Sequence, residues 1–300
     1  MAMKPLIFIK LSFIVLLIPF ITSSQNLNVN LSEVRFEHIR INVPDKEATA
    51  KWYVENVGLE IIPTSDDRYV YVADKDHNFM LELSSIAGIK NTYHDIHIDG
   101  FHLAFEGQKS IQGVAEKMLA NGGVQEGELY TNKIGDYVMN VRDPNGFVSQ
   151  LIHRVNPFFS KPIKSVTRFE HFAFNTPDQK IAALWFIEFM DLIVPWSKDI
   201  DKSNSYRNYR VPYVGDAQNN MSMELFGKEL ECSLSNQPHD VIHLAFLTDE
   251  PEKLAERLIY GGATIIGEPR KEKNGDIIID MYDPYKMPIR LIKRKSSILN

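Results

Sequence analysis

Arg35-Phe36-Glu37-His38 recurs as Arg168-Phe169-Glu170-His171, 133 positions further along the chain. Glu82 and Glu224 also correspond, at a spacing of 142, so the second copy carries nine additional residues before this point. The other matching segments are Pro44-Asp45 with Pro177-Asp178, His102–Phe105 with His243–Phe246, Gly122-Gly123 with Gly261-Gly262, and Asp143-Pro144 with Asp283-Pro284. A repeat of this length predicts two homologous halves.

Each half has the pattern of two β-α-β-β-β units. In the first half, the alternation predicts a strand from Phe36 to Val43, a helix from Lys46 to about Asn56, and strands near Glu60, Tyr69 and Phe79. The second unit has a strand at 101–106, a helix at 108–120 and a final turn at 143–146. We therefore predict one domain over residues 33–155, a linker over 156–165 and a second domain over 166–295.

Residues 1–24 have the pattern of an export signal. Lys4 and Lys10 are followed by an apolar run from Leu11 to Ile21, which ends in small polar residues. The run is too short for a comfortable transmembrane span, although an uncleaved anchor is an alternative. We therefore expect a periplasmic or secreted protein with no stable membrane insertion after the signal peptide is removed.

Charge and cysteine content exclude some classes of protein. Removal of residues 1–24 deletes two lysines and no acid, taking the formal net charge from −6 to −8, which argues against a nucleic-acid partner. Cys232 is the only cysteine, so the chain has no internal disulfide and relies on a hydrophobic core. The partner we expect is a small-molecule substrate, bound by a monomer or a homodimer.

The histidines of the repeat lie on predicted strands. Side chains alternate along a strand, so His38 shares a face with Arg40 and Asn42 while Ile39 and Ile41 point the other way. The apolar face is expected to pack in the core and to leave the histidines on a polar surface. Glu82 and Glu224 are acids flanked by apolar residues, and a carboxylate so placed needs a partner such as a metal.

These residues make the chain resemble the vicinal oxygen chelate superfamily, which includes glyoxalase I, methylmalonyl-CoA epimerase, extradiol dioxygenases and bleomycin-resistance proteins. The resemblance covers roughly residues 35–293. It implies an α+β fold of two tandem glyoxalase-like domains, each a pair of βαβββ units forming a curved mixed sheet around a cleft. The positions that match the metal-ligand positions of the family are His38, Glu82, His102 and Gln150 in the first half, and His171, Glu224, His243 and Arg290 in the second.

Gln150 and Arg290 depart from the family pattern, which commonly has a glutamate at both positions. Gln150 can supply a neutral oxygen ligand. Arg290 cannot bind a metal, but its permanent charge suits an anionic substrate group. Two imidazoles and one carboxylate can hold zinc, nickel, manganese or ferrous iron, so the metal is predicted only as a divalent ion. One competent site and one altered site is the expected arrangement.

The pairing of the units stays open at this stage, because members of the superfamily pair them either within a half or across halves. Pairing within halves, which we take as the first expectation, gives a site of His38, Glu82, His102 and Gln150. Pairing across halves gives a site of His171, Glu224, His102 and Gln150 instead. His102 belongs to the fuller site in both arrangements.

The resemblance implies a metal-dependent enzyme with lyase, isomerase or epimerase chemistry on a small substrate that carries neighbouring oxygens. Glu82 and Glu224 are the candidate catalytic bases. A non-haem iron dioxygenase and a non-catalytic small-ligand-binding protein are the alternatives.

Two further polar clusters are expected to be solvent-exposed. One precedes His102, and the other lies in the lengthened segment of the second half. They consist of His94, His97 and Asp99, and of Tyr206, Arg207, Tyr209 and Arg210.

Overall fold

The structure is a computed structural model of the chain, and it describes residues 33–64, 66–88, 93, 96, 100–108, 110–133, 135–159, 161–195, 213–218, 220–227, 232–296 and 298. All of these residues belong to one structural unit. Three predictions lie outside the described residues. They concern the signal peptide 1–24, the cluster of His94, His97 and Asp99, and the cluster of Tyr206, Arg207, Tyr209 and Arg210.

The helices are α1 (Lys46–Val57), α2 (Gln112–Ala120), α3 (Gln179–Met190) and α4 (Pro251–Tyr260). The repeat is visible in their capping, because α1 and α3 both begin after an aspartate, Asp45 or Asp178, whose side chain accepts backbone N–H groups of the first turn. Helix α2 begins later than predicted, because the preceding strand continues to Gly107. No helix in the described part of the chain is long and apolar enough to cross a membrane.

The strands form two mixed sheets. Sheet A has eight strands in the order β13-β14-β15-β12-β1-β4-β3-β2, and sheet B has seven in the order β10-β11-β9-β5-β8-β7-β6. The strands are β1 (Arg35–Asn42), β2 (Glu60–Ile62), β3 (Tyr69–Ala73), β4 (Met80–Ser84), β5 (Phe101–Gly107), β6 (Val124–Thr131), β7 (Tyr137–Arg142), β8 (Val148–His153), β9 (Thr167–Asn175), β10 (Tyr213–Gly215), β11 (Ser222–Phe226), β12 (Ile242–Leu247), β13 (Thr264–Lys271), β14 (Ile277–Tyr282) and β15 (Pro288–Lys293). This is the predicted α+β fold.

The units pair across the two halves, so the expectation of pairing within a half is wrong. Strand β1 of the first half pairs antiparallel with β12 of the second, and β5 pairs antiparallel with β9 in the same way. Aromatic contacts accompany both junctions, with ring centroids 5.1 Å apart for Phe36 and Phe246 and 5.0 Å apart for Phe105 and Phe169. Either pairing supplies the same kind of backbone hydrogen bonds, so only these long-range contacts select one.

The apolar faces of both sheets share one core. Phe36 of sheet A contacts Phe172 of sheet B with ring centroids 5.8 Å apart, and Phe79 contacts Phe169 at 5.4 Å. The faces that carry the histidines are polar, as predicted, but they are not a surface. The histidines of the repeat, His38, His102, His171 and His243, are all at most 1% exposed. Because they lie on the central strands of wide sheets, neighbouring side chains cover them.

Candidate functional site

Sheet B brings together a cluster that we call site 2, formed by His102, His171 and Glu224. These residues lie on β5, β9 and β11, which are neighbours in the sheet. The two histidine Nε2 atoms lie 3.2 Å apart. Glu224 Oε2 lies 3.1 Å from Nε2 of His171 and 3.7 Å from Nε2 of His102. Three potential ligand atoms therefore converge on one buried point.

A β-bulge in strand β9 sets the orientation of His171. The pairing with β5 matches His171 to Ala104 but Phe169 to Phe105, so Glu170 is the extra residue. A bulge interrupts the alternation of side chains, and Glu170 Oε2 lies 2.8 Å from His171 Nδ1. Because an ionised carboxylate can only accept, His171 donates to Glu170 through Nδ1, and Nε2 is the ring nitrogen that faces site 2.

Buried charges behind His171 hold this arrangement. Arg154 donates to Glu170 at 2.6 and 3.0 Å and to Asp136 at 2.8 Å. Burial raises the pKa of Glu170, but Arg154 and His171 outweigh it and hold that pKa at about 2. Burial likewise lowers the pKa of His171, but Glu170 and Glu224 raise it above its ordinary value. The surroundings of site 2 therefore favour a positive charge.

Two further residues border site 2. The Tyr213 ring lies 5.4 Å from the His171 ring, and its hydroxyl hydrogen-bonds to Glu224. Gln150 lies on β8 and pairs with Ala104 of β5, so it shares the face of the sheet with His102. The pairing across halves thus places Gln150 on the same face of sheet B as His102, His171 and Glu224.

Sheet A contains the equivalent cluster, which we call site 1, formed by His38, Glu82 and His243. Nε2 of His38 lies 3.3 Å from Nε2 of His243 and 3.5 Å from Oε2 of Glu82. All three residues are buried. The His and Glu positions predicted as ligands therefore form two clusters, and neither of them is the within-half set that was expected first.

The same bulge and the same buried charges support site 1. Glu37 is the extra residue of the β1–β12 pairing, and its Oε2 lies 2.9 Å from Nδ1 of His38. Arg294 donates to Glu37 at 2.7 and 2.8 Å and to Asp276 at 2.7 Å. Burial raises the pKa of Glu37, but Arg294 and His38 outweigh it and hold that pKa at about 2. The two sites are therefore equivalent in the layer behind the first histidine.

Site 1 and site 2 differ on the ligand side of the first histidine, where site 1 has Arg40. Arg40 lies on β1 opposite both Glu82 of β4 and His243 of β12, and its Nε donates to Glu82 Oε1. Tyr71 donates to the other oxygen of Glu82. Burial raises the pKa of Glu82, but Arg40 and then His38 hold it well below its usual range. The corresponding residue between the ligands of site 2 is Ala173.

Arg290 brings a second guanidinium to site 1. It donates to Asp280 at 2.7 and 3.2 Å. Burial raises the pKa of Asp280, but the charge of Arg290 outweighs burial and holds that pKa at about 2. His239 stacks on His243 with ring centroids 4.3 Å apart. Burial first, then Arg290 and His239, hold the pKa of His243 well below its ordinary value. The surroundings of site 1 therefore disfavour a further positive charge, and the predicted role of Arg290 in binding an anionic substrate group stays a prediction.

A cavity of about 800 Å³ adjoins site 1. Its wall includes His38, Arg40, Glu82 and Arg290 together with charged residues just before β3 and at the end of β13. Site 1 is thus open to small molecules even though its side chains are largely buried.

Three functional features were absent from the sequence-based prediction. Strict alternation assigns Glu37 and Glu170 to the core face, and only the bulges bring them to the histidines. Arg154 and Arg294 carried a usable signal, because the spacing of 140 that relates Gln150 to Arg290 also relates these two arginines. Arg40 was placed on the histidine face, but its contact with Glu82 depends on the β1–β4 pairing.

The chain was compared with known families and structures. The sequence profile of the Glyoxalase/Bleomycin resistance protein/Dioxygenase superfamily matches residues 35–151 and 168–291. Glyoxalase I from Zea mays is 20% identical, with 87% of this chain and 93% of that chain covered at a TM-score of 0.65. A putative dioxygenase from Bacillus subtilis subsp. subtilis str. 168 is 9% identical, with 89% and 87% covered at a TM-score of 0.60. No curated protein sequence matches.

Paired βαβββ units around a buried histidine and glutamate cluster define the vicinal oxygen chelate class of fold. The chain belongs to the Glyoxalase/Bleomycin resistance protein/Dioxygenase superfamily, whose profile covers both halves. The resemblance inferred from the ligand positions and the predicted fold are thereby confirmed. At 20% identity or less, the similarity to these solved structures shows the fold alone.

Proposed function

We propose that the protein is an exported, divalent-metal-dependent enzyme of the glyoxalase type, with site 2 as its metal centre. The observation that carries the proposal is the convergence of His102, His171 and Glu224 without a guanidinium between them. The substrate class is a small molecule with neighbouring oxygens, and the reaction class is a lyase, isomerase or epimerase reaction. Export rests on the pattern of residues 1–24.

The donor set of site 2 fits a divalent ion. Metal–nitrogen bonds of about 2.0–2.1 Å in a tetrahedron place neighbouring ligand atoms about 3.3 Å apart. In site 2 the separations are 3.1, 3.2 and 3.7 Å. Nitrogen and oxygen donors of this kind suit zinc, nickel, manganese or ferrous iron. Gln150, on the same face of the sheet, would add a neutral oxygen.

The divalent ion would supply polarisation of the neighbouring substrate oxygens and would stabilise negative charge on them. The protein's own contribution begins with orientation. Glu170 fixes the ring of His171 through Nδ1, and Arg154 in turn fixes Glu170. Such support keeps the ligand atoms in place when a substrate arrives.

Proton transfer is the second contribution of the protein. Of the two carboxylates predicted as bases, Glu82 already accepts hydrogen bonds from Arg40 and Tyr71 on its two oxygens. Both partners lower its basicity. We therefore assign the proton-accepting role to Glu224, which would leave the metal to accept the proton. Glu224 shares the tyrosine contact, through Tyr213, but has no guanidinium contact of this kind among the described residues.

Elemental analysis tests the metal centre. We expect about one divalent ion per chain in the wild type, loss of most of it in His102→Ala, and no change in His243→Ala, which removes the matching histidine of site 1. Unchanged metal content in His102→Ala would remove the basis of the proposal.

The reaction class has its own test. The metal-loaded protein is expected to exchange the α-protons of vicinal ketols or 2-oxo aldehydes in deuterated water, and Glu224→Gln is expected to stop this exchange. Oxygen uptake with ferrous iron and a catechol would instead favour a dioxygenase. Binding of these compounds by the metal-free protein, with no exchange when metal is added, would favour a binding protein.

A further inference from the structure

Site 1 has the same three types of ligand residue as site 2, but its glutamate is already paired with the guanidinium of Arg40. Arg40 is paired in register with Glu82 on one side and with His243 on the other. In the second copy this position, between Glu224 and His102, is held by Ala173. At this position the two sites therefore differ by a buried guanidinium that contacts the glutamate of site 1.

The contacts of Arg40 hold that cation in place. Its Nε donates to Glu82 Oε1, and its guanidinium lies 4.2 Å from the centre of the Tyr69 ring. Nη1 lies 3.6 Å from the carboxylate of Asp240, which is 74% exposed. The Arg40 side chain itself is only 1% exposed. Glu82 thus has a buried, permanent counter-charge, whereas a metal would need that carboxylate for itself.

The hydrogen bonding of Arg40 is incomplete. Its Nη2 is buried and has no hydrogen-bond partner among the described residues. A guanidinium kept for structural support is expected to use all of its buried donors, because an unmade hydrogen bond costs stability. The buried contact that Arg40 does make through Nε is with the carboxylate of Glu82.

The other charged groups that line the cavity are largely engaged with each other. Arg290 and Arg270 share Asp280, and Arg68 pairs with Asp66 and Glu272. Arg40 is the guanidinium that contacts Glu82, the one carboxylate of site 1, so it directly occupies the carboxylate that a metal would need there.

We propose that site 1 is a metal-free copy of the centre, in which the guanidinium of Arg40 takes the place of the metal beside His38, Glu82 and His243. Replacement of Arg40 is expected to open site 1 to a second divalent ion, because the other guanidinium of the site, Arg290, is already paired with Asp280. This inference concerns a different site from the proposed function and does not depend on it.

The experiment measures zinc per chain by elemental analysis after loading and exhaustive dialysis of the full chain. Arg40→Ala is expected to bind one zinc more than the wild type, and Arg40→Ala/His243→Ala is expected to lose that additional ion. Arg68→Ala is the matched control, because it removes an arginine from the same cavity without touching Glu82, and it is expected to equal the wild type.

Arg40→Gln covers the case in which the alanine variant does not fold, because glutamine keeps much of the side-chain volume and lacks the charge. It is expected to gain the additional zinc as well, with circular dichroism and a thermal transition showing that it is folded. No gain in the folded Arg40 variants, or an equal gain in Arg68→Ala, would overturn the proposal. So would a wild type that already holds zinc at site 1, shown by loss of an ion in His243→Ala.

Failure of this proposal is distinguishable from failure of the proposed function. A wild type without zinc, together with an Arg40→Ala variant that binds one ion, would support the role of Arg40 and contradict the metal centre at site 2.

Discussion

Site 1 and site 2 show that an identical set of ligand residues does not make an identical site. Both have two histidines and a glutamate within 4.8 Å of one another, and both have a bulge glutamate behind the first histidine. Site 1 adds Arg40 and Arg290, where site 2 has Ala173 and Gln150. The residues between and beside the ligands therefore decide the charge that each site can accept.

The layer behind the histidines is the part that the two halves share. Behind each site, an arginine just after the last strand of one half joins the bulge glutamate of the other half to a second acid. Arg154 and Arg294 are the arginines, and their partners are Glu170 with Asp136 and Glu37 with Asp276. If this layer is equivalent in the two halves, matched substitutions in it must have matched effects on folding.

The largest expected effect is on stability. Arg154→Met and Arg294→Met each leave two buried carboxylates without their counter-charge, and each is expected to lower the free energy of unfolding by about 3–5 kcal/mol. Urea denaturation of the metal-free protein measures this. Arg68→Met is the control, because its ion pair with Asp66 is largely exposed and should contribute less than about 1 kcal/mol. Clearly unequal losses for Arg154 and Arg294 would show that the two layers are not equivalent.

A smaller effect is expected on metal affinity, and here the two halves should differ. Glu170→Gln weakens the orientation of His171, and loss of such outer support typically lowers metal affinity by about 10–100-fold. Glu37→Gln is the matched change behind His38, and it should leave affinity unchanged if site 1 holds no metal. Competition with a chelating dye measures both. An equal loss in the two variants would mean that the sites share the metal-binding role.

The smallest expected effect concerns the two Asp-Pro turns. Burial raises the pKa of Asp283 to about 7 and that of Asp143 to about 6, from an ordinary value of 3.8. Asp143 Oδ2 accepts a hydrogen bond from Tyr53 at 3.0 Å, whereas Asp283 Oδ2 is buried with no hydrogen-bond partner in the described part of the chain. The carboxylate of Asp283 is therefore the less well compensated of the two.

Because the pKa of Asp283 is raised, the free energy of unfolding depends on pH. Between pH 3.8 and about 7 the folded state holds the Asp283 proton that the unfolded chain releases, so the free energy of unfolding falls as pH rises through this window. Asp283→Asn removes the titration. Its stability relative to the wild type should rise by about 1 kcal/mol between about pH 6 and pH 8, with a smaller rise for Asp143→Asn. Thermal unfolding at the two pH values measures this, and a difference that does not change with pH would contradict the assignment.

Much of the fold was predictable from the chain alone. The recurrence of Arg-Phe-Glu-His located both β-α-β-β-β starts, and α1 begins at Lys46 as predicted. The His and Glu ligand positions were also found, because the repeat aligned them. Whether any of them binds a metal stays a prediction.

The grouping of these residues was not predictable. His102 was expected to lie with His38 and Glu82, but β5 pairs with β9, and His102 therefore meets His171 and Glu224. Both pairings bury the same strand faces, so the hydrophobic pattern is equally satisfied by each. The contacts of Glu37 and Glu170 with the histidines were missed, because one extra residue in a strand changes the face of a side chain and local composition does not reveal it.

The sequence by itself determined the duplication, the α+β class and the residue types that can bind a metal, because each of these depends on local pattern repeated along the chain. The tertiary structure decided which histidines face each other, and it decided that Arg40 stands beside Glu82 while Ala173 stands beside Glu224. Those outcomes depend on strand pairing between distant segments. The electrostatic environment of a residue depends on which charges lie near it in space, and separation along the chain does not reveal those neighbours.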